Sequence, residues 1–144
     1  MSKLNKFLFI ILTISLLSGC GKGSDDLTSQ NTLSVNGVCK PVINQCEIVG
    51  ENIRIKLQFK ATPSYQRLLP TVVETPNTLI QNISITMIID GKEMPALEMK
   101  KSAVNQWETA LMTFAKVTKD NIKIRLVVSY NNKRKDSAVF PITY

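Results

Sequence analysis

The chain has 144 residues, 44% of them apolar, with 18 Lys and Arg against 11 Asp and Glu, three Cys and no His. That length suits one domain built on one core. Without an imidazole there is no Ser-His-Asp or Cys-His nucleophilic site of the usual kind, no His-ligated zinc and no His-based pH switch, which removes most hydrolase and metalloenzyme templates.

Met1 to Lys6 carries Lys3 and Lys6, Phe7 to Leu17 is an almost wholly apolar run, and Ser18-Gly19-Cys20-Gly21 follows at once. This is the basic-then-apolar layout of a secretory signal, and the run is too short for a transmembrane helix, which needs about 20 apolar residues. Leu17-Ser18-Gly19-Cys20 resembles the bacterial lipobox, Leu-(Ala/Ser)-(Gly/Ala)-Cys, at all four positions. The resemblance implies that residues 1–19 are cut away, that the Cys20 thiol carries a diacylglycerol, and that the new amino group is acylated. In enterobacterial lipoproteins an Asp after the Cys favours the inner membrane, so Gly21 implies the cell outer membrane, with the domain facing the periplasm. Two or more acyl chains anchor a protein firmly, since each buried methylene contributes about 0.8 kcal/mol.

Residues 20–31 are then expected to form a lipidated flexible tether, because Gly21 to Asn31 holds Leu27 as its single apolar residue among Gly, Lys, Ser, Asp, Thr, Gln and Asn. Lys3 and Lys6 leave with the signal, which trims the basic excess. Cys39 and Cys46 are the two remaining thiols. An exported chain meets an oxidising compartment, so this pair is expected to form a disulfide. A metal or redox role would need a CxxC spacing or a third soft ligand nearby.

Residues 32–144 are expected to be one β domain. Ile53 to Lys60 alternates apolar and polar residues without error, as does Ile122 to Leu126, which runs on to Tyr130. Leu79 to Ile89 places Ile83, Ile85, Met87 and Ile89 on one side and Ser84, Thr86 and Ile88 on the other, and it ends at Asp90-Gly91, a hairpin signal. Trp107 to Phe114 and Asp136 to Thr143 are further strands, with weaker ones at Leu33 to Asn36, Glu47 to Val49 and Thr71 to Glu74. Asn131 to Lys135 is a polar hairpin tip. Ser102 to Lys116 permits a helix, but the surrounding pattern favours a strand. About seven short strands predict an immunoglobulin-like antiparallel β-sandwich.

The order of an alternating strand, the turn region Gly91 to Pro95, Met99, a strand holding Trp107 and a closing Ile-Lys-Ile-Arg-Leu strand looks like the YtkA-like and FixH-like extracytoplasmic domains, over roughly residues 45 to 130. Those are small immunoglobulin-like sandwiches, often with a compact Met-Xaa-Gly-Met-Xaa-Met cluster, and some are linked to copper handling. In this chain the cluster is stretched over Met87, Met94 and Met99. The resemblance implies Met94 and Met99 as candidate soft ligands for Cu(I); Met87 falls in the inward phase of its strand and reads as core filling.

Arg54, Lys56, Lys60, Lys123 and Arg125 occupy the outward phase of the two clearest strands. If those strands share a sheet, they make a basic face for an anionic envelope polymer or an acidic protein. Scattered Lys and Arg also simply solvate a sheet and discourage edge pairing. Nucleic acid is not expected as a partner, because no aromatic residues interleave with these charges. The carboxylates are scattered, no pair is nominated for glycoside hydrolysis, and no GxSxG, SxxK, P-loop or EF-hand pattern occurs. Trp107 is expected as the buried aromatic anchor of the sandwich. The reading is a lipid-anchored, non-enzymatic envelope module without a cofactor that binds another envelope component; the alternatives are a copper-handling accessory domain and a small inhibitor of an envelope-directed hydrolase.

Overall fold

The computed structural model describes residues 32–43, 45–76, 79–113 and 121–143. The expected signal, Cys20 and the tether lie outside the described residues. The described elements are all strands: β1 Ser34–Asn36, β2 Cys46–Val49, β3 Arg54–Phe59, β4 Leu68–Glu74, β5 Ile80–Ile89, β6 Lys92–Glu93, β7 Leu97–Glu98, β8 Lys100–Ala103, β9 Gln106–Met112, β10 Ile122–Tyr130 and β11 Lys135–Pro141. Alternation decides the facing of the strongest of them. Ile55, Leu57 and Phe59 of β3, Ile83, Ile85, Met87 and Ile89 of β5, and Ile122, Ile124, Leu126 and Val128 of β10 all enter one apolar cluster.

Two antiparallel sheets result, one in the order β1-β2-β3-β4-β9-β8 and the other β11-β10-β5-β6, with β7 also on β5. With β3, β4, β9 and β8 as strands A, B, E and D, and β11, β10, β5 and β6/β7 as G, F, C and C′, this is the strand order of the immunoglobulin sandwich. The fold class is as the sequence predicts, whereas the strands among the described residues number eleven and not about seven. The weaker strands at Leu33 to Asn36 and Glu47 to Val49 are present as β1 and β2, a hairpin that extends the first sheet beyond β3. The strands not anticipated are β6, β7 and β8, into which one edge segment is divided.

That divided segment has a physical logic. Glu93 pairs with Ile88 and the Met94 N–H donates to Met87 O at 2.8 Å, but Leu97 pairs with Ile85, so the edge carries one extra residue at Pro95–Ala96. A bulge of this kind shifts the inward phase by one. Met94 and Leu97 consequently both pack against the core, and Met99 enters it. After Met99 the chain crosses to the other sheet as β8, which pairs with β9.

The opposite seam is closed by β11. The Leu33 N–H donates to Ser137 O at 3.0 Å, and the Thr143 N–H donates to Cys39 O at 2.9 Å. Cys39 and Cys46 form the expected disulfide, with Cα atoms 4.9 Å apart. Both are buried, and the loop between them accepts the Phe59 N–H on Pro41 O at 2.8 Å. Gly50 fits tightly where the β2–β3 turn meets this seam: a Cβ there would lie 2.6 Å from a Leu33 methyl and 2.9 Å from an Ile53 methyl, so these side chains would have to shift. Closing so short a loop restricts the unfolded chain by about 2–3 kcal/mol in the chain-entropy model. Replacing both Cys39 and Cys46 by Ser should therefore lower the thermal midpoint by roughly 10 °C. An unchanged melting curve would mean that the hydrogen bonds to the loop hold it unaided.

The topology gives the sandwich two distinct ends. The β2–β3, β4–β5, β8–β9 and β10–β11 connections share one end, where the Thr75 N–H donates to Asn105 O and the Asn131 N–H to Leu79 O. Thr32 enters at this same end, its hydroxyl oxygen accepting the Ser137 N–H at 3.0 Å. The disulfide loop, the β3–β4 connection, the Asp90–Gly91 turn and Thr143 lie at the other.

Candidate functional site

The five basic residues do not form one face. Arg54, Lys56 and Lys60 belong to β3 or its end and lie on the outside of the six-stranded sheet, while Lys123 and Arg125 lie on β10, on the outside of the other. Sheet-sharing was the condition for a joint face, and these strands are in different sheets. Two of the five charges are also compensated: Arg54 Nε is 3.2 Å from Glu47 and Arg125 Nη1 is 2.6 Å from Glu93. Lys123 and Arg125 stand opposite Ile88 and Thr86, both buried on the outward side of β5, so their aliphatic stems act as a cover there.

The candidate copper ligands are placed apart. Met94 stands opposite Met87, whereas the Met99 N–H donates to Ile83 O, four positions further along β5. Met99 is buried and Met94 packs against the core, the ordinary employment of a flexible thioether. Among the described residues no group of three His, Cys, Asp or Glu side chains is placed to hold a metal ion. Trp107 is buried, with the Lys101 ammonium 5.6 Å above its ring. Lys101 is thus a charge at the rim of an edge strand, a feature that discourages strand addition.

Two features escape the sequence reading. The first is a polar network at the Thr32 end. Asp136 is 2% exposed at an inward position of β11, accepting hydrogen bonds from the Tyr130 hydroxyl at 2.9 Å and Arg134 Nε at 3.1 Å. The Thr32 hydroxyl also bonds to it. Burial opposes ionisation of Asp136, but these three donors and the Arg134 charge outweigh it and hold its carboxyl below the usual range. Burial, followed by the bond to Asp136, pushes the Tyr130 phenol upward. A cavity of ≈ 230 Å³ lies beside the network, lined also by Asn52, Leu79, Asn131 and Asn132. With both oxygens of the carboxylate engaged, this arrangement ties Thr32 to the body of the domain.

The second feature is an exposed apolar patch on the outside of the six-stranded sheet. Leu68 and Met112 stand opposite each other, as do Pro70 and Ala110; Leu68 is 58% exposed, Met112 39% and neighbouring Tyr65 54%. The Tyr65 segment is held in place, since the Gln66 N–H donates to Thr113 O at 2.8 Å and the Thr113 hydroxyl donates to Ser64 O. Lys60 borders the patch, its N–H bound to Pro70 O and its ammonium to Gln58 Oε1 at 2.7 Å. Val72 continues the same side of β4. Aromatic, Leu and Met side chains kept in water on a rigid sheet, with a basic rim, make a surface suited to a partner. In the sequence the signal was faint: Leu68-Leu69-Pro70 breaks alternation, and the outward phase of β9 holds Ala110 and Met112 where charges would be expected.

No protein family model, curated protein or solved structure matches the chain. The surface chemistry therefore has to be read from the residues themselves.

Proposed function

We propose that this protein is a lipid-anchored envelope module that acts by binding another envelope protein rather than by catalysis. Cys20 carries the lipid, the outer membrane is its location with the domain on the periplasmic side, and the sandwich presents the contact. The observation that carries this reading is the pair Leu68 and Met112, two large apolar side chains held in solvent on the outer side of β4 and β9, with Tyr65 also exposed in the connection just before β4. An apolar centre favours a protein partner over an anionic polymer, which would call for a concentrated basic face. Lys60 beside it, with Lys56 further along β3, favours a partner with an acidic rim.

The test is a double substitution, Leu68→Glu with Met112→Glu. Burying each of these side chains at an interface is worth about 1.5–3 kcal/mol, so partner recovery from membranes should fall at least about tenfold. Both side chains are exposed, so the melting temperature should barely move. Undiminished recovery of the same partner would contradict the assignment of this surface.

A further inference from the structure

The end of the sandwich at which Thr32 enters carries a second surface, distinct from the patch. Val104, at the tip of the β8–β9 turn, is 74% exposed and Leu79, before β5, is 63% exposed. Lys100, Lys101, Lys133 and Lys135 are exposed at or near the same end, and none of them forms an ion pair among the described residues. Of the acidic groups near this end, Glu51 lies 3.7 Å from Arg134 and Asp136 is bound by Arg134, Glu74 and Glu108 accept the side-chain amides of Gln45 and Gln106, and Glu98 shares a surface hollow with Lys133 and Lys135. The Thr75–Asn105 and Asn131–Leu79 backbone bonds join the connections that carry these tips. Apolar tips among lysines match the boundary between acyl chains and anionic headgroups, where lysine stems reach through apolar surroundings to keep their ammonium groups in water.

We propose that this end of the domain rests on an anionic lipid bilayer, with Val104 and Leu79 as apolar contacts and the four lysines on the headgroups. The inference rests on the reading of Cys20 as a lipid attachment site. Two observations select a bilayer as the occupant. The chain toward Cys20 leaves the domain at this end, anchored through Thr32 and Leu33 to Ser137, and the four lysines are exposed there without an ion pair among the described residues. The twelve residue-to-residue steps from Cys20 to Thr32 reach at most about 40 Å, so the anchor holds this end within reach of the headgroups. A surface of this strength needs such help, because a tether converts weak contact into a local, intramolecular event.

The experiment uses the mature lipidated chain in vesicles of phosphatidylethanolamine with phosphatidylglycerol, and in phosphatidylcholine vesicles. An environment-sensitive fluorophore is attached at Val104→Cys or, in a second protein, at Leu68→Cys. The expected result is blue-shifted emission, quenched by lipid-borne spin labels, from position 104 in the anionic vesicles, with position 68 remaining aqueous in both. A protein that floats with anionic vesicles while position 104 remains aqueous overturns the docking alone. The same holds if position 104 becomes shielded only on adding envelope proteins, which would make the occupant a protein. A chain that does not float at all overturns the lipid attachment, and the docking with it.

Discussion

Cys20→Ser should abolish acyl labelling of the protein. The thiol of residue 20 is the only atom in the Leu17-Ser18-Gly19-Cys20 segment able to form the thioether to a diacylglycerol, and a serine hydroxyl does not replace it. Without that modification the signal is not removed at its normal position, so the chain should be either retained as the longer precursor or released without lipid. One acyl chain alone binds a bilayer only marginally, with a constant of about 10⁴ M⁻¹, whereas two or more anchor it stably. Labelling with a radioactive or clickable palmitate, read together with mass, checks the outcome. Acyl incorporation at the wild-type level in the Ser variant would refute the lipid attachment site.

Asp136→Ala should cost about 3 kcal/mol of folding stability. The substitution leaves the Tyr130 hydroxyl without its carboxylate acceptor in a largely buried setting, removes the bond from Arg134, and frees the Thr32 hydroxyl. An orphaned buried donor alone costs about 1–3 kcal/mol, and loss of a charge-assisted bond adds to it. Arg134 is 43% exposed at its side chain, so its ion pair is discounted for solvent screening and supplies the smaller part. The pH dependence has a definite sign. The folded-state pKa of Asp136 lies below its ordinary value of 3.8, so its stabilisation is complete above that value and fades as pH falls through the folded one. Tyr130 behaves in the opposite sense: its pKa is raised above 10.0, so its contribution is complete below pH 10 and is lost as the solution becomes strongly alkaline. Denaturant titrations at neutral pH and near pH 3 should show the difference between wild type and Asp136→Asn shrinking in acid. A constant difference would mean that folding leaves the Asp136 pKa unshifted, which would contradict the ionised, hydrogen-bonded carboxylate.

The fold was legible where the sandwich is regular. Strands β3 and β10 are buried on one side and largely solvated on the other, so Ile-Lys-Leu-Gln and Ile-Lys-Ile-Arg patterns report their facing directly. Asp90–Gly91 forms a two-residue turn in which both residues have positive φ, 51° and 75°, the geometry expected of Asp-Gly between antiparallel strands. The edge from Lys92 to Ala103 was not legible, for two reasons. The bulge at Pro95–Ala96 interrupts the period of two, so Met94, Leu97 and Met99 look unpatterned although all turn inward. All four residues of β8 are exposed, which erases alternation altogether. Strand β4 begins at Leu68, three residues before the sequence suggests, because Pro70 disguises a segment whose carbonyl still accepts the Lys60 N–H.

The candidate surfaces were less legible than the fold, and for a simple reason. Periodicity tells which way a side chain points within its strand but not which sheet the strand joins. Arg54, Lys56 and Lys60 share an outward phase with Lys123 and Arg125, yet topology sends the two groups to opposite sides of the molecule. The Asp136 network had a usable signal: a carboxylate in the inward phase of Asp136, Ala138, Phe140 and Ile142, next to a Tyr and an Arg across a tight hairpin. The apolar patch required the pairing of Leu68 with Met112, residues 44 positions apart in the chain, which no local pattern contains.

The central claim is that the outer side of β4 and β9 meets another protein while the chain is held to a membrane. Site-specific photocrosslinking in intact cells tests it most directly, with a photoreactive residue at Leu68 or, on the other sheet, at Lys123. The expected result is a discrete protein adduct from position 68 that disappears when Met112→Glu is added, and none from position 123. Equal adducts from both positions, or none from position 68 in a membrane-held chain, would contradict it.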